Sequence, residues 1–255
     1  MSATKTPLIL SIETATRAGG VTLTRGDHIL AVRAGEAAVS HSAHLLYYVS
    51  EVLEEGGVAL REIELFAVTL GPGSFTGLRI GLATVKSFAA TLSRPCVGVP
   101  SLHAVARAAG ESERALAMLP AGRGEVFAQL LRVDRRGDVH PLDDPSHLTP
   151  RRLLDKVRTM RPLTWAGEGA IIHEEAIRAQ AQSEGIPFWR EGDVGGAESV
   201  SAQGWILARP PAILSTAVAR LALTRAHSAQ VSTPDQLRAI YVRASDAELN
   251  ERCRE

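Results

Sequence analysis

Gly71-Pro72-Gly73-Ser74-Phe75-Thr76-Gly77-Leu78-Arg79-Ile80-Gly81-Leu82-Ala83-Thr84-Val85-Lys86 is the stretch on which the reading of this chain turns. An apolar run ending at Leu70 enters a loop of glycines and one proline, and a helix follows. Ser74 or Thr76 is placed as its N-cap. Such a loop leaves backbone N–H groups free at a helix N-terminus, where phosphates and other anions bind. Two readings are therefore open, a phosphate contact and a structural corner. The spacing fits neither standard catalytic motif. Leu78 stands where a Walker loop needs lysine, and the Gly-x-Ser-x-Gly spacing of an exposed nucleophile is absent.

The helix launched by this loop, about 76–92, is apolar or neutral on too many sides. At 100° per residue Leu78, Leu82, Val85, Ala89 and Leu92 fall within about 80° of arc, which predicts the core face. The opposite side carries Ile80, Ala83, Thr84, Ser87, Ala90 and Thr91, with Arg79 and Lys86 as the only charges. A solvated face normally carries several charges, so this one predicts contact with another helix. An earlier helix, about 41–55 and capped by Ser40, behaves similarly. Leu45, Leu46, Val49, Val52 and Leu53 span about 120° and predict its core face, with His41, His44, Tyr47 and Tyr48 on the flank. Coverage by the second lobe and a subunit interface both account for such double amphipathicity.

Around these helices the order of elements is α/β. Leu8–Ile12, Val21–Leu23 and Ile29–Val32 predict a meander, Phe66–Leu70 and Cys96–Val99 two further strands, and Ser101 a cap for a helix through Ala109. About 110 residues after the first meander the pattern returns. Leu116–Leu119, a glycine turn, Val126–Val133 and Arg136-Gly137-Asp138 repeat the earlier order, in which Arg25-Gly26-Asp27 holds the corresponding turn. This predicts a duplicated unit. Helices over 151–160, 170–183 and 213–228, a strand at Leu163–Trp165 and a late strand at Ala239–Val242 complete the second half. The glycine-rich segment 185–211 is predicted to be irregular.

Composition narrows the classes. The 255 residues hold 28 Lys+Arg and 28 Asp+Glu, so the chain lacks the basic excess of a protein that grips nucleic acid unaided. No apolar run approaches the roughly 20 residues of a membrane span, and the N-terminal stretch lacks a signal-peptide core. Two cysteines, Cys96 and Cys253, are too few for a disulfide framework. A cytoplasmic protein with reduced thiols is the expectation. His41 and His44 share one helical side but lack a third ligand, and no metal site is predicted. Glu13 and Thr14 end the first strand, with Glu13 placed to orient a magnesium ion through water. The bland alternative is a structural carboxylate.

Residues 65–106, above all 71–81 and Val97-Gly98-Val99-Pro100-Ser101-Leu102, closely resemble the bacterial TsaB (YeaZ) family. Leu8–Thr16 is similar to its first strand and loop, Ala121-Gly122-Arg123-Gly124-Glu125-Val126-Phe127 to its second-lobe signature, and Ile240-Tyr241-Val242-Arg243 to its C-terminal strand. The resemblance implies an actin-like ATPase-domain (ribonuclease H-like) fold with two similar lobes, 1–108 and 109–255. The last helix and strand are candidates to return to the N-terminal lobe. It also implies a non-catalytic dimerization subunit for threonylcarbamoyl transfer to the tRNA adenosine 3′ to the anticodon. The implied partners are a TsaD-like catalytic paralogue, a TsaE-like ATPase and a second copy of the chain, with tRNA reached only through the complex.

On this reading no catalytic residue is expected. Leu45, Val49, Leu78, Arg79, Leu82, Ala83, Val85, Lys86 and Ser87 are the candidate partner-interface residues, and Glu13, Thr14, Gly73 and Ser74 the candidate nucleotide contacts. No cofactor is expected for the isolated chain, while ATP or ADP could enter with the assembled complex. Catalytic paralogues carry a His-x-x-x-His pair where Ser101 and Val105 stand here, and Glu13 replaces the aspartate of many relatives. The rival functions are a nucleotide-hydrolysing actin-like ATPase, a metallopeptidase and direct tRNA binding.

Overall fold

The computed structural model describes residues 6–35, 41–193 and 203–242. Leu8–Glu13 (β1), Gly20–Arg25 (β2) and His28–Ala34 (β3) form the antiparallel meander, and Leu65–Gly71 (β4) and Cys96–Pro100 (β5) extend it in parallel. The order of this first sheet is β3-β2-β1-β4-β5. β1 is buried along its whole length, as expected for a central strand covered on both faces. His41–Glu55 (α1) and Phe75–Thr91 (α2) cover the outer face, and Ser101–Ala109 (α3) follows β5. Ser40, the expected cap of α1, lies outside the described residues.

The second half repeats the plan. Ser112–Gly122 (β6), Glu125–Val133 (β7) and Val139–Pro141 (β8) form a second meander, and Leu163–Ala166 (β10) and Trp205–Leu207 (β12) lie parallel to β6 beyond it. Ser146–Leu148 (β9) also pairs with β7, and Phe188–Arg190 (β11) edges the sheet next to β12. Both Arg-Gly-Asp tripeptides hold the turn after the second strand of their meander, with the glycine at φ +58° and +82°. Pro150–Val157 (α4), Glu168–Ile172 (α5) and Glu174–Ser183 (α6) cover the outer face of this sheet, and Ser215–His227 (α7) ends the helical order. The chain is thus layered α, β, α, β, α.

The middle layer is exchanged between the halves. α3 lies mainly on β6 and β7 of the second sheet, whereas α7 lies on β1, β2, β4 and β5 of the first. The seam is apolar, with Leu102, Val105, Val218 and Leu221 between Ile9 and Val97 on one side and Ala117 and Leu131 on the other. The N-terminus of α7 is tied in by buried polar bonds. Ser11 Oγ–H donates to the Ser215 carbonyl at 2.9 Å, and the Thr22 and Ser215 hydroxyls meet at 2.6 Å.

Several sequence expectations change. Ser74, not Thr76, caps α2. Pro100, not Ser101, holds the cap position of α3, and the Ser101 hydroxyl is buried without a partner among the described residues. The segment 185–211 contains β11 and β12, strands of three residues each, too short to show the alternation that reveals a strand. The single helix expected over 170–183 is two, because His173 leaves helical geometry at φ −105°, ψ 19°. Ala239–Val242 is not a sheet strand. β4 already has β1 and β5 on its two sides, and among the described residues the late segment gains one backbone bond to it, from Ile240 N–H to the Leu70 carbonyl at 2.7 Å.

Candidate functional site

The glycine loop is built by packing against the loop that follows β1. Ser74 N–H donates to the Ala15 carbonyl at 2.8 Å, and the Ser74 hydroxyl accepts Gly77 N–H at 3.2 Å. A Cβ at Gly73 would stand 2.5 Å from the Ala15 oxygen, so the two backbones meet only because position 73 has no side chain. The loop after β1 is closed by its own carboxylate. Glu13 Oε1 accepts the N–H groups of Ala15 at 2.5 Å and Thr16 at 2.9 Å, while Oε2 accepts the Thr16 hydroxyl at 2.6 Å. Glu13 and Thr14 are both buried, and the Thr14 hydroxyl lies over Gly81.

Of the four candidate nucleotide contacts, Gly73 and Ser74 border a cleft of about 410 Å³ between the lobes. Its walls come from residues 15–17, 72–75 and 119–122, with Phe127 and Glu168 opposite and Ile240–Val242 across one side. Glu13 and Thr14 do not line it. Chemically the cleft is more apolar than a phosphate cradle, with Phe75, Leu78, Leu119, Phe127 and Tyr241 around it.

The candidate interface residues divide into two depths. Leu45, Val49, Leu82 and Val85 are buried against the lobe's own sheet, and Leu78 is buried beside the cleft. Arg79, Ala83 and Ser87 are exposed along α2, and Lys86 is half-buried beside them. Among the described side chains of α1 the large exposed apolar ones are Leu46 at 63% and Tyr47 at 60%. Leu46 was expected in the core, but the sheet covers only the arc centred on Leu45, Val49 and Val52. Its neighbour at 100° faces outward.

Charge at the rim of this face is organised. Arg33 of β3 pairs with Glu51 at 3.4 Å and with Glu55 of α1. The Glu51 carboxylate also accepts the Tyr47 hydroxyl, which raises the phenol pKa. Tyr48 is half-buried and stacks on His44 with ring centroids 6.0 Å apart. The outward surface of α1 and α2 is therefore apolar or small at its centre and charged at its edge, the pattern of a protein interface.

No cluster of three or more His, Cys, Asp or Glu with metal-binding geometry occurs among the described residues. Val105 is buried, and His103, between Ser101 and Val105, has its pKa lowered to about 4 by burial and by the Arg225 guanidinium. No described helix is long and apolar enough to cross a membrane.

A protein-family model described as TsaD, tRNA N6-adenosine threonylcarbamoyltransferase, matches residues 32–161. The chain is 30% identical over 155 residues to the tRNA threonylcarbamoyladenosine biosynthesis protein TsaB of Escherichia coli, an alignment covering 60% of this chain and 67% of that protein. Its fold is similar to that of YeaZ from Pseudomonas aeruginosa, with a TM-score of 0.67 at 22% identity over 92% of this chain and 99% of that one. A more distant likeness, TM-score 0.50 at 11% identity over 92% and 99% of the two chains, is to the activator of the 2-hydroxyisocaproyl-CoA dehydratase from Clostridium difficile with bound ADPNP.

Proposed function

This chain belongs to the TsaB (YeaZ) family, and from that membership we propose that it serves tRNA threonylcarbamoyladenosine biosynthesis as a docking subunit. Its partner is a TsaD-like catalytic paralogue, which it binds and stabilises through the outward face of α1 and α2. The observation that carries this reading is the exposure of Leu46 and Tyr47 beside the small, charge-poor stripe of Ala83, Ser87 and Ala90. A face whose apolar side chains are solvated gains free energy when covered, at about 25 cal/mol per Å² of apolar surface. Small residues let a partner helix approach closely enough to cover it. A TsaE-like ATPase and tRNA then meet the assembly and not this chain alone, and ATP or ADP enters with the complex.

The chemistry of the cleft agrees with a positioning role. The carboxylate that would hold a magnesium ion in a nucleotide-hydrolysing relative is spent here on its own loop. Light scattering on the chromatographed chain, with and without the purified paralogue, tests the reading. A one-to-one or higher assembly through this face is expected. Persistent separate elution of the two proteins at tens of micromolar would overturn it, as would turnover of Mg-ATP by the isolated chain.

A further inference from the structure

The segment after α7 runs beside α2 from its C-terminal end back to its N-terminus. Near the end of α2, Ser232 exchanges both backbone hydrogen bonds with Cys96, at 2.9 and 2.7 Å. Leu237 is buried in the core that α1 and α2 share with the first sheet. At the start of α2, Ile240 donates to Leu70, and its carbonyl stands 2.6 Å from where a Cβ on Gly71 would lie. Gly71 is at φ +110°, a conformation that also excludes a side chain. The next residue, Tyr241, sets its ring against Phe75 with centroids 5.2 Å apart and planes at 41°.

Phe75 in turn carries Arg79, whose guanidinium carbon lies 3.8 Å from the ring centroid. Tyr241, Phe75 and Arg79 thus form a continuous ladder from the C-terminal segment to an exposed cation on the docking face. A guanidinium held over a ring has its position fixed while its N–H donors remain available, which prepares it for a carboxylate. Among the described residues no carboxylate pairs with Arg79, whereas Arg33 at the other rim of the face is paired twice.

We propose that Tyr241 is a positioning residue for partner docking, acting through Phe75 to present the Arg79 guanidinium to an acidic side chain of the partner. The proposal rests on the docking face described above. It adds the chemical class of the group received there and the residue outside α1 and α2 that prepares the contact. An unsupported arginine must lose side-chain entropy when it pairs; one already stacked loses less.

Titration calorimetry of the full chain with the paralogue tests it, using Arg79→Ala, Tyr241→Ala, Tyr241→Phe and the double variant Arg79→Ala/Tyr241→Ala. Arg79→Ala is expected to weaken binding about tenfold and to flatten its salt dependence. Tyr241→Ala should weaken it about three- to tenfold, Tyr241→Phe should bind as the parent chain does, and the double variant should be no weaker than Arg79→Ala. Wild-type affinity for Tyr241→Ala alongside weakened Arg79→Ala would overturn the ladder, as would additive losses in the double variant. A second measurement needs no partner. The Arg79 Nε–H resonance of the isolated chain should be displaced by the Phe75 ring current and return toward its free position in Phe75→Leu and, in part, in Tyr241→Ala. Absence of that displacement overturns the ladder even if docking holds, and a displaced resonance without any partner binding places the failure in the docking reading instead.

Discussion

Trp165 and Trp205, from parallel neighbouring strands β10 and β12, meet edge to face with ring centroids 5.0 Å apart at 65°. Both are fully buried, and the Trp205 indole N–H donates to the Met160 carbonyl at 3.0 Å. The two largest fully buried side chains among the described residues thus meet in the second lobe's outer core. Trp205→Phe should cost about 1–2 kcal/mol through the lost hydrogen bond, and Trp205→Ala about 3–5 kcal/mol through the cavity. Urea unfolding measures both. Equal losses for the two variants would contradict the assignment of the larger part to packing.

Glu13 offers a second test. Its buried carboxylate satisfies two backbone N–H groups and one hydroxyl of the loop that follows β1. Glu13→Ala strands all three donors, and a loss of about 2–4 kcal/mol is expected. Glu13→Gln keeps the acceptor on one side only and should fall between. A Glu13→Ala protein as stable as the parent would mean that the loop re-forms its bonds elsewhere.

How much of this was legible in the sequence can be seen at adjacent positions. Leu45 and Leu46 are chemically identical, and periodicity placed both in the core. Only the width of the covering sheet decides that one is 4% and the other 63% exposed. The long strands β1, β4 and β6 and the helix α2 were readable because each carries enough residues for a period to repeat. β11 and β12 do not, and the pairings that make them strands, β12 with β10 and β11 with β12, join segments separated in sequence. Glu13 was legible as a residue of interest but not as a loop closure, since two of its three bonds come from the backbone N–H groups of Ala15 and Thr16, which no side-chain pattern reveals. The Tyr241 contact with Phe75 joins residues 166 positions apart. No local signal announces it.

His103 gives a pH signature. Burial first, and then Arg225, lower its pKa to about 4 from 6.5, so the neutral form is favoured in the folded state. The unfolded chain binds the proton more readily, and stability rises with pH across this window. The contribution, of the order of 3 kcal/mol, should be fully present above pH 6.5 and be lost as pH falls from 6.5 to 4. Unfolding free energies between pH 7 and 4.5 should show the decline, and His103→Asn should flatten it. An unchanged slope in that variant would assign the decline to other groups.

Cys96 is buried on β5, with its thiol donating to the Ser232 carbonyl at 3.2 Å. Burial pushes its pKa to about 11, aided by the nearby Asp235 carboxylate. In a Cys253→Ser background, native protein at pH 7.5 should release almost no colour with a thiol-specific disulfide reagent, and one equivalent after unfolding. Rapid native reaction would show that the strand-like contact between 96 and 232 opens readily.

Ala83→Arg and Ser87→Arg probe the docking face directly. Both positions are exposed on α2, so folding stability should stay within about 0.5 kcal/mol of the parent. Affinity for the paralogue should fall by two orders of magnitude or more, read by calorimetry, because a long cation then stands where a helix must approach. Undiminished affinity would move the interface elsewhere on the surface.

The exchanged middle layer has a consequence for how the molecule lives and dies. A chain cut after α3 would leave β1 and β4 without the helix that covers them and would strand α3 without the strands it lies on. Although two sheets are present, neither half owns a complete set of walls. Melting is therefore expected as one cooperative event, and co-translational folding should wait for residue 227 to leave the ribosome before the first half is secure. The two halves follow one plan, and the trade of helices between them makes them inseparable.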